Sequence, residues 1–346
     1  MSVFTCPVPL TNTETVLLGH GSGGKLSADL LRNVFLPALG NPVLDRMDDQ
    51  AIVDVAGARL AFTTDSFVVK PLFFPGGDIG SLAVHGTIND LAMGGARPLF
   101  LSAAFIVEEG FPIETLRRIV HSMQIAASAA DVQVVTGDTK VVEKGSADGV
   151  FINTSGIGAL PDSLALSANQ ARPGDRVIIS GSIGDHGIAV MASREGLEFE
   201  TTIESDSAPL HGLVAEILQH SGGIRCMRDP TRGGVSSTCN EIAAQSQVGI
   251  ELQESRLPVK EEVQGACELL GLDPLYVANE GKLIAIVEAE IADQVVERMR
   301  RHHFGRDAEI IGTVTASNPG LVTMRTTVGT TRVVDMLAGD QLPRIC

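Results

Sequence analysis

Two tracts of alternating strand-like and helix-like periodicity, joined by a polar segment from Pro161 to Gly174, limit what this chain can fold into. In the first tract, strand-like runs fall at Ala51–Val55, Leu60–Thr64, Phe100–Val107, Val132–Thr136 and Gly149–Ile157. Between them, Asp78 to Gly94 reads as a helix with Leu82, Ala83, Ile88, Leu91 and Ala92 on its apolar face, and Pro112 opens another that runs to Ala130. The second tract starts with a strand at Arg176–Ser180. Helices are expected at Gly187–Arg194, Leu210–His220, Thr231–Gln245, Val259–Leu270 and Ile291–His303. Strands are expected at Ile250–Leu252, Leu283–Val287, Ile310–Val314 and Leu321–Arg325. Each tract therefore mixes strands and helices around one sheet, and the fold class is α+β (mixed α/β) with two domains. The expected parts are a flexible glycine-rich segment over 1–42, domains over 43–160 and 161–336, and a mobile tail over 337–346.

Charge narrows the function. Lys and Arg total 26 against 42 Asp and Glu, a net charge of −16, which argues against a nucleic-acid or anionic-membrane surface. The apolar stretch from Leu82 to Val107 is broken by His85, Asn89, Asp90 and Arg97, too polar a set for a membrane span. With no export signal at the start, a soluble cytoplasmic protein is expected. The cysteines, Cys6, Cys226, Cys239, Cys267 and Cys346, are odd in number and form no CxxC pair. That disfavours both a disulfide framework and a compact zinc site.

Aspartates recur at turns beside glycine or small residues: Asp48-Asp49, Asp65 after Thr63-Thr64, Asp90 after Ile88-Asn89, and Asp138 in Gly137-Asp138-Thr139-Lys140. Any one of them could simply cap a turn. Asp90, however, lies in an otherwise apolar helix, where an unpaired charge is costly. A hard cation such as Mg²⁺, sharing one or two carboxylates with substrate phosphates, accounts for the set. Gly19-His20-Gly21-Ser22-Gly23-Gly24-Lys25 has the composition of a phosphate-cradling loop without the Walker spacing, and a flexible linker is the alternative. Arg228-Asp229-Pro230-Thr231-Arg232-Gly233-Gly234 opens a helix that Asp229 could cap while its N-terminus faces an anion. Gly184-Asp185-His186-Gly187 and Asn279-Glu280-Gly281-Lys282 are further polar turns, and Glu280 is a plausible acid or base. The chain ends in Leu342-Pro343-Arg344-Ile345-Cys346. A frayed terminus is the plain reading, yet a mobile terminal thiol can be modified at one site and carried into another.

Together these motifs resemble the AIR-synthase-like ATP-binding superfamily. The resemblance covers essentially the whole chain, through Asp48-Asp49, Thr64-Asp65, Asn89-Asp90-Leu91-Ala92-Met93-Gly94, Gly137-Asp138-Thr139 and Asp229-Pro230-Thr231-Arg232-Gly233-Gly234. The 19–25 segment, Gly184-Asp185-His186-Gly187 and the terminal Pro343-Arg344-Ile345-Cys346 point to its hydrogenase-maturation branch. The selenophosphate-synthetase branch would need a reactive cysteine in the early glycine-rich segment, which holds none.

The resemblance implies a homodimer whose N-terminal domains share a β-barrel, a C-terminal α/β sandwich domain, and ATP with Mg²⁺ near the interface. It implies that a HypF-type carbamoyltransferase loads Cys346, and that ATP-dependent dehydration turns the S-carboxamide into a thiocyanate. A HypC–HypD complex then receives the cyanide for the iron of [NiFe]-hydrogenase. By analogy, Asp48, Asp65, Asp90, Asp138 and Asp229 serve the metal. Gly21, Gly23, Gly24, Lys25 and Gly137, with Asp48, Asp65, Asp90 and Asp138, serve the nucleotide. Lys140 serves phosphate, Glu280 and His85 handle protons, and Cys346 is the carrier. The 19–25 segment closes over the nucleotide as a lid that excludes water. The competing readings are a small-molecule kinase or synthetase of the same superfamily, and a non-catalytic ATP-gated assembly factor.

Overall fold

The computed structural model describes residues 15–161, 164–196, 203–219, 222–339 and 344–346. The first described helices are α1 (Lys25–Leu30), a π-helical turn (Leu31–Phe35) and α2 (Leu36–Leu39). The segment expected to be flexible is thus helical after its glycines, because Leu26, Leu30 and Val34 recur at four-residue spacing with no glycine until Gly40. Two long strands follow, β1 (Ala51–Val55) and β2 (Ala58–Phe67), and then a two-residue pair, β3 (Phe73–Phe74) and β4 (Gly77–Asp78). After them come α3 (Ile79–Met93), β5 (Arg97–Glu108), α4 (Ile113–Ala129), β6 (Gln133–Val142) and β7 (Val150–Ala159).

The first sheet runs β1-β2-β7-β5-β6, and only its β5–β6 pairing is parallel. Helices α3 and α4 cover one face. Asp78 caps α3 by accepting the Gly80 and Ser81 amides, and most of α3 is buried, as its near-continuous apolar and small residues require. The opposite sheet face carries a row of exposed apolar side chains in register, Phe62, Ile157 and Phe100.

The second half contains β8 (Arg176–Ile179), α5 (Asp185–Glu195), α6 (His211–Leu218), β9 (Ile224–Arg228), α7 (Gly234–Ser246), β10 (Gly249–Gln253) and α8 (Glu261–Leu270). It continues with β11 (Ile284–Val287), α9 (Ala292–Arg301), β12 (Glu309–Thr315), β13 (Val322–Arg325) and β14 (Thr331–Val333). Its sheet runs β14-β13-β10-β12-β8-β11-β9 and is antiparallel except at β10–β13. Strand alternation divides its core. Val177, Ile179, Ile284 and Ile286 pack with Val235, Cys239 and Ile242 of α7, while Ile178, Ala285 and Val287 pack with α6 and α9 on the other face.

Most expected elements are present with slightly moved ends. Strand β9 was not expected, because Arg225 and Arg228 interrupt its apolar pattern. Helix α7 begins at Gly234 rather than Thr231. Its N-cap is Gly233 at φ 79°, with no side-chain cap, so Asp229 does not cap it. His220 and Cys6 lie outside the described residues. Among those residues no helix is long and apolar enough to cross a membrane. The last two residues, in the tail expected to be mobile, are packed inside: Ile345 and Cys346 join the first domain's core with Phe67, Val69 and Ala83.

Candidate functional site

The site lies where α3, β2, the β9–α7 turn and the turn before β11 meet. Buried Asn89 of α3 joins the halves: its Nδ2 donates to the carbonyls of Ala208 at 3.0 Å and Glu280 at 3.1 Å, and its Oδ1 accepts the Leu210 amide at 2.8 Å. This holds Asp90, the next residue, at the domain boundary. Thr63 Oγ1 of β2 lies 2.8 Å from Asp90 Oδ2 and 2.9 Å from the Asp49 carbonyl. Arg228, at the end of β9, pairs with Asp49 at 2.7 Å and Glu241 at 3.0 Å. Glu280 is carried in by a tight turn that needs glycine at 281: a Cβ there would stand 1.7 Å from the Asp206 carbonyl oxygen.

These side chains form an acid-rich cluster short of cations. Burial pushes the Asp49, Asp90 and Glu280 carboxyls well above their ordinary range, and the neighbouring carboxylates push the same way. Asp65 is raised by burial and lowered by Arg232, and Asp229 is raised by burial to about 6. Arg228 is held by Asp49 and Glu241. Arg232 serves the rest: Cys346, Asp65, Glu280 and Asp90 all act on its charge. The buried Asp49 Oδ2 and Glu280 Oε1 have no hydrogen-bond partner among the described residues. Such unpaired oxygens suit a divalent cation bridging to phosphates. Among the described residues, no three His, Cys, Asp or Glu side chains converge tightly enough to hold an ion alone.

A cavity of about 430 Å³ opens beside the cluster. Leu31, Leu36, Val43, Leu44 and Phe62 form its apolar walls, and Asp48, Asp49, Thr63, Arg228 and Glu241 its polar end. An apolar slot leading to charged groups suits a nucleotide, with the base in the slot and phosphates toward the cluster.

The terminal thiol reaches the same cluster. Val68 N–H donates to the main-chain oxygen of Cys346, a carboxylate oxygen in this last residue, at 3.0 Å and Lys70 N–H to the Arg344 carbonyl at 3.2 Å, so the tail pairs with the chain just after β2. Burial pushes the Cys346 thiol up to about 12 against the pull of Arg232, and Glu280, Asp65 and Asp229 add to the rise.

Of the residues singled out from sequence, Asp65, Asp90, Asp229, Glu280 and Cys346 come together. Asp48 lines the cavity, but its carboxylate accepts Ser167 Oγ at 2.9 Å and the Ala168 amide at 3.1 Å, while Asp49 turns into the cluster. Gly21 accepts from Arg232 Nη1 at 3.1 Å, and Gly23 N–H donates to Ser27 Oγ at 2.9 Å. Gly24 sits so close to Leu337 that a Cβ would lie 2.1 Å from its carbonyl oxygen. Lys25 pairs with Asp335 at 2.5 Å, so its ammonium already has a partner. Gly137, Asp138 and Lys140 stand apart on edge strand β6, where Asp138 and Lys140 pair at 2.5 Å on exposed surface. Within one chain they are three strands from Asp65. His85 bonds Ser207 Oγ at 3.0 Å, and burial lowers it to about 4.

Sequence reasoning placed Asp49 in the acidic set without choosing it over Asp48 as a ligand, and gave no individual role to Arg232 or His186. The pairing of Asp49 with Asp48, and the two arginines around Asp229, were the available signals. His186 stands in the Gly184-Asp185-His186-Gly187 turn, but the Ile345 carbonyl that it meets lies 159 residues away.

Residues 47–160 match the AIR synthase related protein N-terminal domain, and residues 172–324 its C-terminal domain. The carbamoyl dehydratase HypE of Azotobacter vinelandii is 59% identical over 332 residues, 96% of this chain and 97% of that one. The chain belongs to the HypE family of AIR synthase related proteins. HypE of Escherichia coli K12 is 46% identical, across 96% of this chain and all of its own. Two solved HypE structures are also similar. One, in a HypE–HypF complex, has TM-score 0.85 and 54% identity over 89% of this chain and 99% of that one. The other, in complex with ATP, has TM-score 0.81 and 49% identity over 96% of this chain and 100% of that one.

Proposed function

We propose that this HypE-family chain is an ATP-dependent carbamoyl dehydratase that converts an S-carboxamide on its own Cys346 into a thiocyanate during hydrogenase maturation. The observation that carries this reading is the burial of the terminal thiol among Arg232, Glu280, Asp65 and Asp229, in an acid cluster whose Asp49 also lines a nucleotide-sized cavity. Small-molecule kinases need no carrier thiol there.

The chemistry balances. The carboxamide oxygen attacks the γ-phosphorus, forming a C–O–P linkage and releasing ADP, and one nitrogen proton departs. The C–O bond then breaks with loss of phosphate and of the second nitrogen proton, leaving S–C≡N. Positioning and neutralisation of charge do most of the work. Glu280 accepts protons from the carboxamide nitrogen: its raised pKa makes it a strong base once ionised. Arg232 steadies charge on the oxygen. Asp49, Asp65, Asp90 and Asp229 would hold Mg²⁺, which supplies the positive charge that a phosphate chain needs beside these acids. The glycines of 19–25, which Arg232 ties down through Gly21, shield the site from water.

A HypF-type carbamoyltransferase loads the thiol, in keeping with the solved HypE–HypF complex. A HypC–HypD complex takes the cyanide. Two copies pair through the open face of the first sheet. Asp138 and Lys140 lie on that face, so pairing turns them toward the junction between protomers.

The test is intact mass spectrometry of the carbamoylated protein with ATP and Mg²⁺. The C-terminal peptide should lose one water per chain, and a Cys346→Ala variant should give no product. Unchanged mass with ATP present would end the dehydratase reading.

A further inference from the structure

We propose that His186 is a positioning residue for the dehydration: by holding the Ile345 carbonyl it sets how far Cys346 reaches into the acid cluster. The proposal rests on Cys346 being the carrier, and goes beyond that reading by assigning the contact that aims it.

The hydrogen bonds around His186 have one consistent direction. The Ser207 amide donates to Ser205 Oγ at 3.1 Å, so that oxygen accepts there. The Ile345 carbonyl can only accept, so the proton of a neutral ring sits on Nε2 and the Ser205 hydroxyl turns its own proton to Nδ1 at 2.8 Å. Nδ1 is the acceptor, Nε2 carries the ring proton, and Nε2–H donates to the Ile345 carbonyl at 2.8 Å. Burial, which lowers the imidazole pKa, agrees with a neutral ring bearing a single proton. The ring is fully buried and Phe74 packs against it edge-on, centroids 5.5 Å apart at 87°. Ser205 is anchored in turn, its amide donating to the Pro75 carbonyl at 2.8 Å.

The location explains why such a contact is useful. The sulfur of Cys346 changes during turnover, from thiol to carboxamide to thiocyanate, so no fixed contact at sulfur can hold the tail throughout. The Ile345 carbonyl stays chemically the same in every state. The main-chain oxygens on either side are held otherwise. Arg344 O accepts from Lys70 N–H at 3.2 Å and Arg194 Nη2 at 2.8 Å, and Cys346 O accepts from Val68 N–H at 3.0 Å. His186 bonds the peptide between them, on the side of the second domain.

Two substitutions separate aim from fold. In His186→Gln the amide nitrogen falls near the position of Nε2 and keeps a donor for Ile345. In His186→Asn the side chain reaches only as far as Nδ1, and that donor is lost. Single-turnover water loss from the carbamoylated protein should slow about tenfold in the Asn variant, the loss of one buried hydrogen bond. Alkylation of Cys346 by iodoacetamide, followed on the C-terminal peptide, should speed up by a similar factor because the tail leaves its site more often. The Gln variant should restore both rates. A general folding defect would not slow one rate, speed the other and be rescued by Gln. Ser205→Ala, which frees the tautomer and leaves the imidazole in place, should shift both rates the same way to a smaller extent, and it serves if the His186 variants fold poorly. Equal slowing by Asn and Gln, or Cys346 alkylation unchanged in the Asn variant, would overturn the proposal. If wild-type carbamoylated protein loses no water, the dehydratase reading fails, and the alkylation rates still decide whether His186 holds the tail.

Discussion

Arg232 ties the glycine-rich segment to the terminal thiol: its Nη1 donates to the Gly21 carbonyl at 3.1 Å, and its charge is the strongest ionic influence on Cys346. One guanidinium therefore touches both the glycine-rich segment and the surroundings of the docked tail. Arg232→Gln keeps a polar side chain of lesser reach and removes the charge. Dehydration of carbamoylated Cys346 should fall about 10- to 100-fold, about 1.4–2.7 kcal/mol in the barrier. Single-turnover kinetics at saturating ATP provide the measurement, and an unchanged rate would remove Arg232 from the reaction.

The thiol itself predicts a pH dependence of docking. Burial raises Cys346 from 9.0 to about 12 when the tail is inside. A group whose pKa rises on docking favours the docked state fully below its undocked value. That preference is lost as pH climbs from there toward the docked value. The inward tail should thus hold below about pH 9, and above it the undocked fraction should grow up to tenfold per pH unit. Peptide-level alkylation of Cys346 across pH 7 to 10 should rise more steeply than that of a free thiol, which follows its thiolate fraction alone. A profile identical to that of a short peptide ending in Arg-Ile-Cys would show that the tail is not held inside.

Part of this site could be read before any coordinates. Asp90 stood out because a carboxylate in an apolar helix is costly unless it is used, and the structure places it, half-buried, beside Asp49, Asp65 and Asp229. The choice between Asp48 and Asp49 was not legible. It depends on Ser167, over a hundred residues away, which claims Asp48 and leaves Asp49 for Arg228. Lys25 looked like a phosphate ligand by composition, but Asp335 is brought beside it only when the 335–339 stretch lies along the glycines. The inward tail was hidden for the same reason. Nothing local in Arg344-Ile345-Cys346 announces that Val68 and Lys70 offer amides to it.

Asn89 makes a stability prediction. Its amide makes three buried hydrogen bonds, two to carbonyls and one from the Leu210 amide, across the junction of the two domains. Asn89→Ala leaves those groups unsatisfied and should cost about 2–4 kcal/mol in urea denaturation. Because the Glu280 carbonyl is one of the partners, dehydration should also slow in variant protein that remains folded. A cost below about 1 kcal/mol would mean that the junction is held by apolar packing alone.

The open face of the first sheet predicts the assembly state. Phe62, Ile157 and Phe100 stand opposite one another on three adjacent strands, 44%, 39% and 42% exposed, and Ile106 extends the apolar surface along β5 at 44%. Contiguous apolar surface of this kind marks an interface, since water-facing sheets normally alternate toward polar residues. Pairing two copies face to face would bury the row twice and close the sheet into a barrel. Ile157→Arg places a charge at its centre, where no acidic side chain of the row can answer it. Sedimentation equilibrium should show a dimer for the wild type and a monomer for the variant. Ile157→Val should remain dimeric, which separates loss of pairing from damage to the sheet. A wild-type protein that sediments as a monomer at micromolar concentration would refute the shared barrel, and with it a role for Asp138 and Lys140 at the junction.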